Sequence, residues 1–363
     1  MTWLPSPETI AAWRGARGPR RFALSAAAFL FRQAVTARVH AYRQGWVPRF
    51  QAPLPILSVG NLEVGGTGKT AIVRFLAEHL PGRPAIVTRG YGNRLRRHPH
   101  FVQPLDPTSL VGDEPRLLKR WLPRAIIAVS PARHRVLPRL IDAADWVILD
   151  DGFQHLALER DLDIVVVPPV PGVQLLPRGM LREPREALQR ATIVWQHHGD
   201  GTVPGPPQER SHLRRPTVLS RYRIRSVRPY EAWRTRSHAT DPEPDPRHGC
   251  PALHVVTATG RPERVGGLLR AEGCTVTGET WIADHHPIGL EHLNAIARRA
   301  ARAGAGGIVV TEKDAVRFDE HPLQHLVPMP LFVVEVSVEI VHGADLLRHH
   351  LQTAMSRRLE RDR

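Results

Sequence analysis

Cysteine is almost absent: Cys250 and Cys274 are the only two in 363 residues. That excludes a disulfide framework and a cysteine zinc site, and a reducing, cytosolic setting is expected. Long apolar runs are missing too. None approaches the ~18 residues of a membrane-spanning helix, and the nearest, Phe22 to Phe31, is short and rich in alanine. No cleavable secretory signal is read at the start. Acidic residues are outnumbered, 35 against 50 lysines and arginines, for a net charge of +15. A polyanionic counterpart would suit that balance: nucleic acid, an anionic membrane or a phosphorylated substrate. A solvated, arginine-rich surface is the plainer explanation. No recognition helix, zinc finger or RNA-binding motif is present, so no nucleic-acid partner is expected.

What the chain does have is a globular hydrophobic share of 42% and length enough for one large or two medium domains. Near the N-terminus Leu24, Ala28, Phe31, Val35, Val39, Tyr42 and Trp46 recur at helical spacing and predict an amphipathic helix. Around it stand Arg14, Arg17, Arg20, Arg21, Arg32, Arg38, Arg43 and Arg49 against Glu8 alone. Such a segment suits an anionic lipid surface. A helix docked on its own domain has the same pattern.

From Pro55 onward short β-branched runs alternate with helical stretches. The strand candidates are Ile56-Leu57-Ser58-Val59, Ala85-Ile86-Val87-Thr88, Ala125-Ile126-Ile127-Ala128-Val129, Trp146-Val147-Ile148-Leu149, Asp163-Ile164-Val165-Val166-Val167 and Thr192-Ile193-Val194-Trp195. All are apolar enough for burial on both faces, which predicts a parallel sheet wrapped by helices. A Gly- and Pro-rich break at 199–216, an alternating strand through Val218, Ser220, Tyr222 and Ile224, and a second Pro-rich stretch at 241–251 suggest a linker region. Beyond it Leu253-His254-Val255-Val256, Ile308-Val309-Val310-Thr311 and Leu331-Phe332-Val333-Val334 suggest a smaller C-terminal α/β domain. The expected division is 1–47, an amphipathic helical region; 48–198, the core; 199–251, a linker with a strand pair; and 252–363, the second domain.

The chemistry centres on Glu63-Val64-Gly65-Gly66-Thr67-Gly68-Lys69-Thr70. A phosphate loop needs glycines so that backbone N–H groups converge on phosphate, a lysine to reach its oxygens, and a hydroxyl for magnesium. Gly65, Gly66, Gly68, Lys69 and Thr70 supply these. Glu63 stands where the common pattern has its first glycine. The loop nonetheless follows an apolar strand and opens a helix, which aims a helix N-terminus at anionic oxygens. These features predict a P-loop NTPase-type fold. Asp150 and Asp151, ending the run Trp146 to Leu149, offer a Walker-B carboxylate for magnesium, and either aspartate suits the role. Gly112-Asp113-Glu114-Pro115 places two acids between a strand and a helix, as a base for an attacking hydroxyl or simply as a helix cap followed by proline. Asp284-His285-His286 reads as an acid–base pair or a polar turn. Adjacent histidines point apart, which disfavours chelation.

These motifs, with Ser58-Val59-Gly60-Asn61, Arg89-Gly90-Tyr91-Gly92, Gln154-His155, Leu181-Arg182-Glu183-Pro184 and Thr311-Glu312-Lys313-Asp314, occur in an order that resembles the tetraacyldisaccharide 4′-kinase (lipid A 4′-kinase) family of Gram-negative bacteria. The resemblance runs from the N-terminal helix to the last strand. It implies an ATP- and Mg2+-dependent kinase that phosphorylates the 4′-hydroxyl of an acylated glucosamine disaccharide 1-phosphate. The product would be lipid IVA, in lipid A biosynthesis. It further implies a peripheral enzyme on the cytoplasmic face of the inner membrane, meeting an anionic membrane surface and needing no obligate protein partner. By position, Lys69 and Thr70 resemble the phosphate and magnesium residues, with Glu63 to Gly68 completing the nucleotide loop. Asp150 and Asp151 resemble the metal acids with Glu114 assisting, and Asp113 the base. His285, rather than His286, resembles its partner from the second domain, and Arg89 a substrate contact. Ala71 stands where the family usually has proline, and 257–264 replace a more glycine-rich motif. The rival reading is a deviant-P-loop switch ATPase at the membrane surface, although Glu63 stands where that class has a signature lysine. A GTPase is weaker, since Lys313 and Asp314 are adjacent.

Overall fold

The structure is a computed structural model. It describes residues 13, 18–90, 98–202, 205, 215–235, 250–282, 289–318 and 329–361. A single 12-stranded sheet, in the order β10-β9-β11-β12-β8-β7-β6-β1-β5-β2-β4-β3, runs through both halves. In the first half the strands are β1 (Ile56–Asn61), β2 (Pro84–Thr88), β3 (His100–Phe101), β4 (Ile126–Val129), β5 (Trp146–Asp150), β6 (Leu162–Val167) and β7 (Ile193–His198). All pairings among them are parallel except the short edge strand β3 against β4.

Every residue of β1 and β5 is buried, because alternate side chains feed two different cores. Leu57, Val59 and Ile148 pack with Ile72, Val73 and Leu76 of helix α2 (Lys69–His79) on one face. Ile56, Val147 and Leu149 pack with Val136, Leu137 and Leu140 on the other. Burial on both faces is why these strands read as continuous apolar runs.

The 217–229 segment is where the structure differs from a simple linker. Thr217–Pro229 forms one long strand, β8, parallel to β7 at its start and antiparallel to β12 (Leu331–His342) over most of its length. Its partner in a strand pair is therefore β12 of the second half. The alternation of Val218, Ser220, Tyr222 and Ile224 was legible, but β12 also continues eight residues beyond Val334, the end of its apolar run, through the polar alternation Glu335, Ser337 and Glu339. The second half then adds β9 (Leu253–Thr257), β10 (Val276–Trp281) and β11 (Gly307–Thr311), parallel to one another and to β12. The large, mostly parallel α/β sheet is the fold class expected.

Helix α1 (Pro19–Arg43) has no fully buried residue. The predicted stripe of Leu24, Ala28, Phe31, Val35, Val39 and Tyr42 is partly buried, while Phe22, Phe29, Leu30 and Trp46 are exposed. Arg38 donates to the Gln154 carbonyl at 3.2 Å, and Arg32 lies 3.5 Å from Glu186. Among the described residues no helix is long and apolar enough to cross a membrane.

Candidate active site

The phosphate loop leaves β1 at the buried Asn61, whose Nδ2 donates to Thr67 Oγ1 at 2.9 Å. A facing segment holds its stem, through Arg182 N to Leu62 O at 2.6 Å and Val64 N to Met180 O at 2.8 Å. Gly65 and Gly68 have φ of +113° and +86°, backbone conformations that glycine adopts freely. Nothing lies within 4 Å of where a Cβ on Gly66 would stand, so the loop presents open backbone. Lys69 begins α2, with Thr70 next to it and partly buried.

The structure also explains Glu63. The residue is 5% exposed. Oε1 accepts from Gly172 N at 2.5 Å and Oε2 lies 3.4 Å from Arg261 Nη2 in the second half. An acid at the first loop position thus ties the stem to two distant segments.

Lys69 Nζ stands 3.2 Å from Asp151 Oδ1, and Arg182 Nη1 donates to Asp151 Oδ2 at 2.7 Å. Asp151 has φ +54°, the left-handed region, just past the end of β5. The buried Arg133 secures that turn by donating to the Asp150 carbonyl at 2.8 Å and the Asp151 carbonyl at 3.1 Å. The two carboxylates are pushed apart electrostatically. Burial, then the charges of Glu114 and Asp151, pushes Asp150 up to about 7. Burial also resists ionisation of Asp151, but Lys69 and Arg182 together hold it well below the usual carboxylate range.

Gly112, with φ +92°, turns the chain into helix α4 (Asp113–Trp121), counted after the short turn α3 (Thr108–Val111). Gly112 is itself the N-cap and no side chain caps this helix, so the capping explanation for Asp113 does not hold here. Instead both acids face cations from the second half. Asp113 Oδ2 accepts from Arg317 Nε at 2.8 Å and Nη2 at 2.6 Å. Glu114 Oε1 accepts from Lys313 Nζ at 3.3 Å. Lys313 first and Lys69 further hold Glu114 below its ordinary value against the opposing effect of burial. Glu114, Lys69, Asp150 and Asp151 are therefore within one another's electrostatic reach.

Three acids and the Thr70 hydroxyl form a set of hard oxygen donors. Burial first, and then the negative charge of Glu114 and Asp151, raises Asp150, and a divalent cation would relieve the charge part of that effect. Among the described residues no three acidic, histidine or cysteine side chains converge as a preformed cage.

Arg89 is exposed at the end of β2, near enough to Arg133 for their charges to interact. Tyr91, Gly92, Asp284, His285 and His286 lie outside the described residues. Sequence reasoning assigned no role to Arg133, Arg182, Lys313, Arg317, Arg261 or His197. Arg182, Lys313 and Arg261 stood inside quoted motifs, whereas the others carried no local signal. His197, at the end of β7, backs onto the loop: a Cβ at Gly68 would come within 2.6 Å of its Cδ2. Its Nδ1 is 2.9 Å from Ser220 Oγ, which accepts from Trp195 Nε1 at 2.6 Å, and burial pushes the imidazole down to about 3.

A glycine-rich loop opening a helix, a lysine paired with an acid just past a neighbouring strand end, and a further acid within electrostatic reach define a P-loop phosphotransferase. The model of the tetraacyldisaccharide-1-P 4′-kinase family matches residues 20–356. The chain belongs to that family. It is 36% identical over 375 residues to the tetraacyldisaccharide 4′-kinase of Anaeromyxobacter sp. (strain K), covering 95% of this chain and 94% of that one. It is 33% identical over 314 residues to the corresponding kinase of Aeromonas salmonicida, covering 84% and 86%. Among solved structures, LpxK from Aquifex aeolicus in complex with ATP shares the fold, with a TM-score of 0.71 over 92% of this chain and 99% of that one at 22% identity. The kinase reading is borne out, and the switch-ATPase alternative finds no support.

Proposed function

We propose that the chain transfers the γ-phosphate of ATP to the 4′-hydroxyl of a tetraacyldisaccharide 1-phosphate, forming lipid IVA. The observation that carries the site assignment is the meeting of Glu114, the neighbour of Asp113 in the first turn of α4, with Lys69 and the Asp150–Asp151 turn. The loop backbone of Gly65 to Gly68 and Lys69 hold the phosphates. Thr70, Asp150, Asp151 and Glu114 hold magnesium, which when bound neutralises charge on the phosphate oxygens. Asp113 takes the proton from the 4′-hydroxyl as its oxygen bonds to the γ-phosphorus, and the bond to the ADP oxygen breaks. His285 partners Asp113, and Arg89 meets substrate phosphate.

Residues 48–198 carry the nucleotide, 252–363 contribute to the acceptor side, and 199–251 join them through β8 of the shared sheet. Residues 1–47 rest on the anionic cytoplasmic face of the inner membrane, where a lipid acceptor is met in two dimensions. The outward Phe22, Phe29, Leu30 and Trp46, at 79%, 60%, 67% and 73% exposure, support that reading. No protein partner is required.

The test is incubation with γ-labelled ATP, magnesium and the disaccharide 1-phosphate in detergent micelles. Label should appear in the lipid at the 4′ position. ATP hydrolysis with no labelled lipid would refute the assignment.

A further inference from the structure

Arg317 lies just past the short helix α8 (Glu312–Ala315), more than two hundred residues along the chain from Asp113, yet both prongs of its fork close on that aspartate. The helices α5 (Tyr230–Thr235), α6 (Glu263–Ala271) and α7 (Leu290–Arg302) precede α8 in the second half. The Arg317 side chain is 11% exposed and the Asp113 side chain 17%, so the pair is largely withdrawn from water. Nε and Nη2 both donate to one oxygen, Asp113 Oδ2.

The other end of the guanidinium is anchored. Nη1 lies 3.4 Å from Asp314 Oδ1. Asp314 is itself fully buried and accepts from Thr311 Oγ1 at 2.7 Å, Thr257 Oγ1 at 3.0 Å and the Ala258 N–H at 3.2 Å. Strands β9 and β11 thereby set where Arg317 stands, and Arg317 sets where the Asp113 carboxylate stands. A planar guanidinium with two donors on one oxygen fixes where that oxygen stands and the direction from which it is held. A lysine ammonium, a point charge on a flexible stem, supplies only attraction.

We propose that Arg317 is a positioning residue for phosphoryl transfer: by holding Oδ2 it fixes where the Asp113 carboxylate stands relative to the acceptor hydroxyl. The inference rests on Asp113 being the base. Misplacing a reacting group by about 1 Å costs on the order of 10²-fold in rate.

The experiment uses the full chain in the micelle assay with labelled ATP, comparing Arg317→Lys, Arg317→Ala, Asp113→Ala and the double variant Asp113→Ala/Arg317→Lys. Arg317→Lys keeps the charge and is expected to fold. Its kcat should fall roughly 10-fold to 10²-fold while KM for ATP stays within about twofold. Added guanidinium ion should restore part of the kcat of Arg317→Ala, and the double variant should be no slower than Asp113→Ala. Parental kcat in Arg317→Lys would overturn the inference, as would a rise in KM for ATP alone. A multiplicative loss in the double variant would also overturn it. So would an Arg317→Ala variant whose activity and melting temperature fall together without guanidinium rescue. Near-parental turnover in Asp113→Ala is a separate result: it removes the base assignment itself, and the inference with it.

Discussion

Substituting Gly68 by alanine separates two physical demands on the phosphate loop. Gly68 has φ +86°, a conformation that costs a residue with a Cβ about 1–2 kcal/mol. The new methyl would also lie 2.6 Å from His197 Cδ2, 3.0 Å from His197 Nε2 and 3.0 Å from Tyr222 Oη. Neighbours so placed must yield, and forced overpacking costs about 1–3 kcal/mol more. His197 has little freedom to yield, because Ser220 and Trp195 hold its far side and β7 is an interior strand. Gly68→Ala should therefore lose about 2–5 kcal/mol of stability or displace the loop. Urea midpoints and the affinity for a fluorescent ATP analogue, measured on the same preparations, report these two outcomes. In a His197→Ala background the same substitution should cost only about 1–2 kcal/mol, since the backbone strain persists and the principal clash is gone. Equal costs in both backgrounds, with parental nucleotide affinity throughout, would refute the reasoning.

Asp113→Ala should reduce turnover by roughly 10²-fold or more while the ATP analogue still binds; near-normal turnover would move the base elsewhere. Replacing exposed Phe22, Phe29 and Leu30 together by serine should leave the urea midpoint unchanged. Partition onto anionic vesicles should fall at least about tenfold, since each apolar side chain withdrawn from water contributes about 1.5–3 kcal/mol. Unchanged partition would assign α1 to docking alone. The partly buried His155 and the buried His197 are both depressed to about 3, chiefly by burial. The unfolded chain thus binds more protons than the folded one between about pH 6.5 and 3, and stability falls as pH drops through that window. At pH 5.5 each histidine should cost on the order of 1 kcal/mol relative to pH 7. His155→Gln should lessen the slope of melting temperature against pH, and an unaltered slope would exclude His155 as a cause.

The strands that build the site were legible because burial on both faces leaves an unbroken apolar run, and β1, β2 and β5 coincide closely with such runs. The edge strand β10, Val-Thr-Gly-Glu-Thr-Trp, escaped notice because partial burial gives it no apolar signature. The loop and the Asp150–Asp151 turn were legible from local spacing, since each is one short stretch of chain. Arg317 and Arg261 were not. Each acts on an acid about two hundred residues away, and one arginine among many in a chain of charge +15 carries no mark of its partner. Glu63 was visible as a departure from the loop pattern, but only Gly172 and Arg261 give it a reason.

The uninterrupted sheet has a practical consequence for anyone dividing the chain. Cutting after residue 198 would strip β8 from β7, leaving a row of unsatisfied N–H and C=O groups along a strand whose Val194 and Trp195 are buried in the whole protein. Cutting before residue 252 would do the same to β12, which pairs with β8 from Leu219 to Pro229. Bare, flat, apolar edges recruit other chains. A fragment bearing the phosphate loop alone would tend to stick to its own copies, and the smallest unit able to show the chemistry of this fold includes the ribbon that crosses its middle.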